Sequence, residues 1–127
     1  MTILYVDDDV NDCDLFVKAV NVAKGDKNVE CEVAHNGEEA LSKVNLMEDK
    51  PAFIFLDVNM PRMDGKEFVK RSLNESKFKG IPIVVYSTFI SHVDIEYFHN
   101  HRAFHYITKP GSFDTICEHI TWALGLI

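Results

Sequence analysis

Long apolar stretches are missing from this chain of 127 residues: runs such as Ala52 to Leu56 fall far short of the roughly 20 apolar residues that a helix needs to cross a bilayer. A membrane span is therefore excluded. The N-terminus shows no basic region, apolar stretch and small-residue cleavage site, because a strand pattern begins at Ile3 and acids follow by Asp7. Cysteine is sparse. Cys13, Cys31 and Cys117 are odd in number, lack Cys-x-x-Cys spacing and each fall in an apolar pattern, so they read as small core residues in a reducing compartment, the cytoplasm. Positive charge is in deficit: 13 basic against 20 acidic residues leave a formal charge of -7, which repels a phosphate backbone and excludes direct nucleic-acid binding. No repeat, low-complexity segment or linker divides the chain. It reads as one domain, of a size that buries about two-thirds of its unfolded surface.

What is present is an alternation. Short runs near residues 2 to 6, 29 to 34, 52 to 57, 81 to 86 and 104 to 108, rich in Val, Ile, Phe or Tyr, predict strands. Helical patterns lie between them. Cys13, Phe16, Val17 and Val20 follow the i, i+3, i+4, i+7 spacing, with Gly25 as terminator. Asn36 caps a second helix with Glu39 reaching back, and Ala40, Leu41, Val44 and Met47 form its stripe before Pro51. Asp64-Gly65 opens a third that buries Phe68, Val69, Ser72 and Leu73. Ser91 and Asp94 cap a short fourth with Ile95 and Phe98 facing inward, and Phe113, Ile116, Cys117, Ile120, Ala123 and Leu124 give the fifth its stripe. Five such units with right-handed crossovers make an α/β fold, a doubly wound five-stranded parallel sheet of order 2-1-3-4-5 with helices on both faces.

In such sheets ligands sit outside the C-terminal ends of the strands. Asp7, Asp8, Asp57, Ser87, Thr88 and Lys109 all fall at that edge. Carboxylates about 4 Å apart repel by something like 4 kcal/mol per pair at an effective dielectric near 20, so the cluster is costly unless a cation offsets it. Oxygen ligands without a nearby His or Cys suit Mg²⁺. A nucleophilic carboxylate, a metal, the Lys109 cation and the Ser87 donor are together what a phosphoryl group needs, and Asp57 becomes the expected nucleophile.

Over essentially its whole length the chain resembles the receiver domain of two-component response regulators. The resemblance rests on Asp7-Asp8, on Asp57-Val58-Asn59-Met60-Pro61-Arg62-Met63-Asp64-Gly65, on Ser87, on Tyr106 and on Lys109-Pro110. It implies a flavodoxin-like receiver over residues 1–127, acting in a phosphorelay as a phosphoacceptor that assists its own phosphorylation and dephosphorylation rather than as an enzyme. Asp57 would take its phosphoryl group from a sensor histidine kinase or phosphotransfer protein. Asp8, Asp57 and the Asn59 backbone carbonyl would ligate Mg²⁺, with Asp7 holding metal-bound water. Lys109, Ser87, Thr88 and Tyr106 would form the catalytic and switch set, and Pro110 would follow a cis peptide bond. Because Ile127 comes directly after the fifth helix, no output domain is expected and output would run by contact. The face of the fourth helix, fifth strand and fifth helix, exposing parts of Tyr97, Phe98, His99, His101 and Arg102, would meet a downstream protein or a second copy.

Plainer readings stand beside these. Asp9 reads as a helix cap, Ser87 and Thr88 singly as strand-end hydroxyls, Tyr106 as core, and His92, His99, His101 and His105 as surface residues with no ligand spacing. A haloacid-dehalogenase-type phosphatase also combines an Asp nucleophile, a downstream hydroxyl, a Lys and Mg²⁺, but Asn59 puts an amide where its general acid belongs. A degenerate receiver that binds without phosphorylation would lack an acid or the lysine, and none is lacking. The chain departs from the family pattern at Thr88, expected to narrow access to the phosphoryl group, and at His105 and Gly111. Phe89 is expected to shield the acyl phosphate from water, while Asn59 would orient that water.

Overall fold

The apolar runs are strands because each is short, β-branched or aromatic, and closed by residues that leave the ladder. The computed structural model describes residues 1–101, 103 and 105–126; Arg102 of the expected contact face, Phe104 at the expected start of the fifth strand, and Ile127 lie outside them. Chain order is β1 (Thr2–Val6), α1 (Val10–Ala23), β2 (Glu30–Ala34), α2 (Gly37–Leu46), β3 (Phe53–Leu56), α3 (Gly65–Ser72), β4 (Ile83–Ser87), α4 (His92–Asn100), β5 (His105–Thr108) and α5 (Phe113–Leu124). The five strands are parallel, in the order β2-β1-β3-β4-β5. A single 3-10 turn, Ser76–Phe78, precedes β4 and has no counterpart in the sequence reading. Its Phe78 is buried against Phe68 of α3, with ring centroids 5.7 Å apart, and joins the core on that face of the sheet.

All five helices are capped by side chains that their sequences supply. Asp9, Asn36, Asp64, Ser91 and Ser112 each accept a hydrogen bond from a backbone N–H in the first turn, and Ser91 with Asp94 completes a reciprocal box. Glu39 reaches back one residue further than expected, accepting from His35 N at 3.2 Å instead of Asn36. Gly25 closes α1 in the left-handed region, φ +56, as its place in the pattern predicts.

The central strands are apolar on both faces because each face is covered. On one side Tyr5, Phe16, Phe55 and Tyr86 form an aromatic cluster under α1 and α5, with Tyr5 and Phe16 stacked at 4.1 Å. On the other, Leu4, Val6, Ile54, Leu56 and Val85 meet Val44, Phe68 and Phe98. Each such side chain, fully buried, stabilises the fold by about 1.5–3 kcal/mol. Phe98 is fully buried, which removes it from the expected contact face. Leu73 and Ile95 are exposed where burial was expected. Leu73 is the C-cap residue of α3, beyond the last helical position, and α4 turns only Phe98 fully into the core.

Registry brings the strand ends together. Val6 pairs with Leu56, so the next residues, Asp7 and Asp57, emerge side by side, and Asp57 N still donates to Val6 O at 2.9 Å. Ser87 pairs with Thr108, and Lys109 N donates to Ser87 O at 2.8 Å. The Lys109–Pro110 peptide is trans, not cis as the resemblance implied. Lys109 is already fixed by that backbone bond and by its side-chain partners, so its aim does not need a cis turn, and trans is the lower-energy isomer.

Gly65 admits α3 close beneath the end of β3. A Cβ there would stand 2.6 Å from Asp57 O and 3.0 Å from Val58 Cα, both backbone atoms with little freedom to yield. Gly65→Ala is expected to lower the unfolding free energy by about 1–3 kcal/mol, read from chemical denaturation, and to shift the Asp57 amide resonance.

Candidate functional site

Four strand ends supply the side chains that meet at one edge of the sheet. Asp57, 8% exposed, follows β3; its Oδ1 accepts from Ser87 Oγ at 2.7 Å and its Oδ2 lies 3.6 Å from Lys109 Nζ. Asp7 follows β1 and is fully buried. It is also fully engaged: Oδ1 accepts from Asp9 N at 3.0 Å, and Oδ2 accepts from Tyr5 Oη at 2.8 Å and from Lys109 Nζ at 2.5 Å. Lys109, after β5, donates as well to Asp12 Oδ2 at 3.0 Å. Asp8 is exposed at the rim, yet Asp7, Asp8 and Asp57 each offer a carboxylate oxygen within 4.8 Å of the others.

Burial is the largest influence on Asp57, and it raises the carboxyl above its ordinary range. The Ser87 hydrogen bond and the Lys109 charge act the other way but do not overcome it, and the Asp7 charge adds to the rise. For Lys109, burial acts to lower the ammonium's pKa. Hydrogen bonds to Asp7 and Asp12, with the charges of Asp57 and Asp7, outweigh that and hold it firmly protonated. One ammonium thus serves several acids. An all-oxygen donor set with this surplus of negative charge fits a hard divalent cation and offers nothing to a soft one.

The remaining expected residues divide. Thr88 and Phe89 follow β4 and are exposed, Phe89 by 70%. Asn59 lies exposed in the loop after Asp57, while Val58, Met60 and Met63 around it are buried and anchor that loop. Tyr106 sits in β5, half-buried against the cluster that holds Phe98, on the sheet and not at the carboxylates. Burial raises its phenol. Asp12 and Tyr5 were missed by the sequence reading. Asp12 lies in the first turn of α1, three residues after the Asp9 cap, and its nearness in sequence to the acidic pair was the available signal. Tyr5 is itself a core residue of β1, and nothing in an apolar strand pattern signals its hydroxyl.

The sequence profile described as "Response regulator receiver domain" matches residues 3–121. The chain is 32% identical to the chemotaxis protein CheY1 of Helicobacter pylori over 92 residues, 72% of this chain and 73% of that protein. Among solved structures it is similar to the chemotaxis protein CheY4 of Vibrio cholerae, with 29% identity, a TM-score of 0.82 and coverage of 96% and 97% of the two chains. It is also similar to a phosphorylated cyanobacterial phytochrome response regulator, RcpA, with 27% identity, a TM-score of 0.84 and coverage of 95% and 89%. Three other curated relatives are longer, and the matches span 27%, 23% and 55% of their lengths. Among the described residues no helix is long and apolar enough to cross a membrane. With the acidic cluster, hydroxyl and lysine assembled at the expected edge of a 2-1-3-4-5 sheet, the chain belongs to the response regulator receiver domain family.

Proposed function

We propose that this chain is the phosphoacceptor of a phosphorelay, receiving a phosphoryl group on Asp57 from a phosphohistidine of a sensor histidine kinase or phosphotransfer protein. The observation that carries the reading is the Asp57 carboxylate, buried at the sheet edge, 2.7 Å from Ser87 Oγ and 3.6 Å from Lys109 Nζ. An oxygen of Asp57 forms the new O–P bond as the donor's N–P bond breaks, and the electron pair leaves on the imidazole nitrogen, which takes up a proton. Lys109 offsets charge on the transferring group, and Ser87 donates to one of its oxygens. Mg²⁺, bound by Asp8, Asp57 and the Asn59 backbone carbonyl with Asp7 behind a bound water, would supply the further positive charge that the acids and the phosphoryl group require. RcpA, similar in fold and sequence, has been captured phosphorylated. Free cysteines fit a reducing compartment, the cytoplasm.

Phosphorylation exchanges one carboxylate charge for roughly -1.5 to -2 and three acceptor oxygens, so Ser87 and Lys109 gain a stronger partner. The two share a backbone hydrogen bond between β4 and β5, and Tyr106 stands three residues before Lys109 in β5. The hydroxyl moves toward the phosphate, the Tyr106 ring turns inward, and the face of α4, β5 and α5 changes for a downstream protein or a second copy. Exposed rings support a contact role for that face: Trp122 lies 4.9 Å from His105, centroid to centroid. Thr88 and Phe89 follow Ser87 directly in the chain; in this reading Phe89 shields the acyl phosphate and Asn59 orients the attacking water.

Intact mass after incubation with a small acyl phosphate and Mg²⁺ is expected to show one added phosphoryl group, absent without metal and absent in Asp57→Asn. No adduct with rapid release of free phosphate would point instead to a phosphatase, and no adduct without turnover to a binding module. The same substitution tests the electrostatics. A carboxyl whose pKa rises on folding favours the native state when protonated and disfavours it when ionised, so Asp57→Asn is expected to raise the thermal midpoint by a few degrees at pH 7. That gain should shrink as pH falls through the folded pKa, which lies above the ordinary carboxylate range. Equal midpoints at neutral pH would contradict a raised pKa. Phe89→Glu is expected to shorten the phosphoryl half-life; an unchanged half-life removes the shielding role.

A further inference from the structure

Lys109 is closer to two other acids than to the acceptor it serves. Its Nζ lies 2.5 Å from Asp7, 3.0 Å from Asp12 and 3.6 Å from Asp57. Asp7 is buried and held on both oxygens by Tyr5, Asp9 N and Lys109, so it is a fixed part of the frame. Asp12 differs in kind. It comes from α1, 97 residues away in sequence, its backbone N is tied to Asp9 Oδ1 at 3.1 Å, and its side chain is 37% exposed. Water can replace the ammonium at Asp12 but not at Asp7. Beside the pair a cavity of about 340 Å³ opens between α1 and the start of α5, lined among others by Tyr5, Asp12, Tyr86, Thr88 and Lys109. The two side chains therefore have space to separate.

We infer that Asp12 is a positioning residue for phosphoryl acceptance, a further carboxylate that holds the Lys109 ammonium back from Asp57 until a phosphoryl group outbids it. The inference rests on the acceptor role proposed for Asp57. In the unphosphorylated protein the ammonium is pinned between β1 and α1. Once Asp57 carries a dianionic group with three outward oxygens, Lys109 swings toward it, and the half-solvated Asp12 carboxylate takes water in its place. The acceptor's readiness is set by a residue that touches neither the metal cluster nor Asp57. Release also frees the first turn of α1 from the β5–α5 connection.

Beryllofluoride with Mg²⁺, a stable mimic of the phosphoryl group, reads this directly by amide NMR titration at Thr108 and Lys109. Asp12→Asn and Asp12→Ser are expected to bind it about two- to tenfold more tightly than the native protein, with Asp12→Glu returning toward native affinity. The gain should vanish when either substitution is combined with Lys109→Met, because it acts through the ammonium. Native or weaker affinity in both single variants overturns the inference, as does an equal gain in the Lys109→Met background, which would mean a general charge effect. If the native chain itself fails to bind beryllofluoride, the acceptor role falls and the inference with it; binding by the native chain with no response to Asp12 removes the inference alone.

Discussion

A single ammonium group among several carboxylates is the interaction on which this molecule turns. Lys109 contacts Asp7 and Asp12 and approaches Asp57, while Asp8 adds a further charge at the rim. A pair of like charges at such separations costs on the order of 4 kcal/mol at an effective dielectric near 20, and one cation cannot offset every pair. The site is consequently short of positive charge by construction. An all-oxygen donor set with that shortage fits a hard divalent cation, and the Asp7 charge adds to the rise that burial produces in the Asp57 pKa.

So much unfavourable charge can be held in place only because the scaffold beneath it is stiff. Both faces of β1, β3 and β4 are buried, and the Tyr5, Phe16, Phe55 and Tyr86 cluster packs in stacked and edge-on pairs. Tyr5 joins the two realms: its ring is core, and its hydroxyl donates to the buried Asp7. Burial, followed by the Asp7 charge and hydrogen bond, raises the Tyr5 phenol, so it remains a donor under all ordinary conditions. Below Asp57, the missing side chain of Gly65 lets α3 lie against the Asp57 carbonyl and leaves the loop after β3 little room to shift.

Most of the fold was legible because each apolar run was bounded by residues with one physical meaning, such as the Asp9, Asn36, Asp64 and Ser91 helix starts. The site was legible because strand ends in a parallel sheet share an edge, so Asp7, Asp57, Ser87 and Lys109 could be gathered without knowing any distance. What stayed hidden depended on side-chain reach. Nothing in a linear pattern says that Asp12 bends toward residue 109, that Tyr5 turns its hydroxyl to Asp7, or that a 3-10 turn buries Phe78 in the core. Periodicity also overextends at helix ends, as Leu73 demonstrates, and cannot rank two apolar faces of a short helix, as Ile95 and Phe98 demonstrate. The cis bond expected before Pro110 came from resemblance alone, and the backbone hydrogen bond of Lys109 makes it unnecessary.

Strand order divides the site into two jaws. Asp7 and Asp57 ride on β1 and β3, whose backbones remain bonded to the very edge, whereas Ser87 and Lys109 ride on β4 and β5, joined by the Lys109 N to Ser87 O bond. The registered pairing between β3 and β4 ends at Leu56 and Val85, short of both reactive ends. Beyond the last β3–β4 pair the two jaws are therefore held together by side chains, Ser87 Oγ to Asp57 and Lys109 Nζ to Asp7, where the backbone does that work within each jaw.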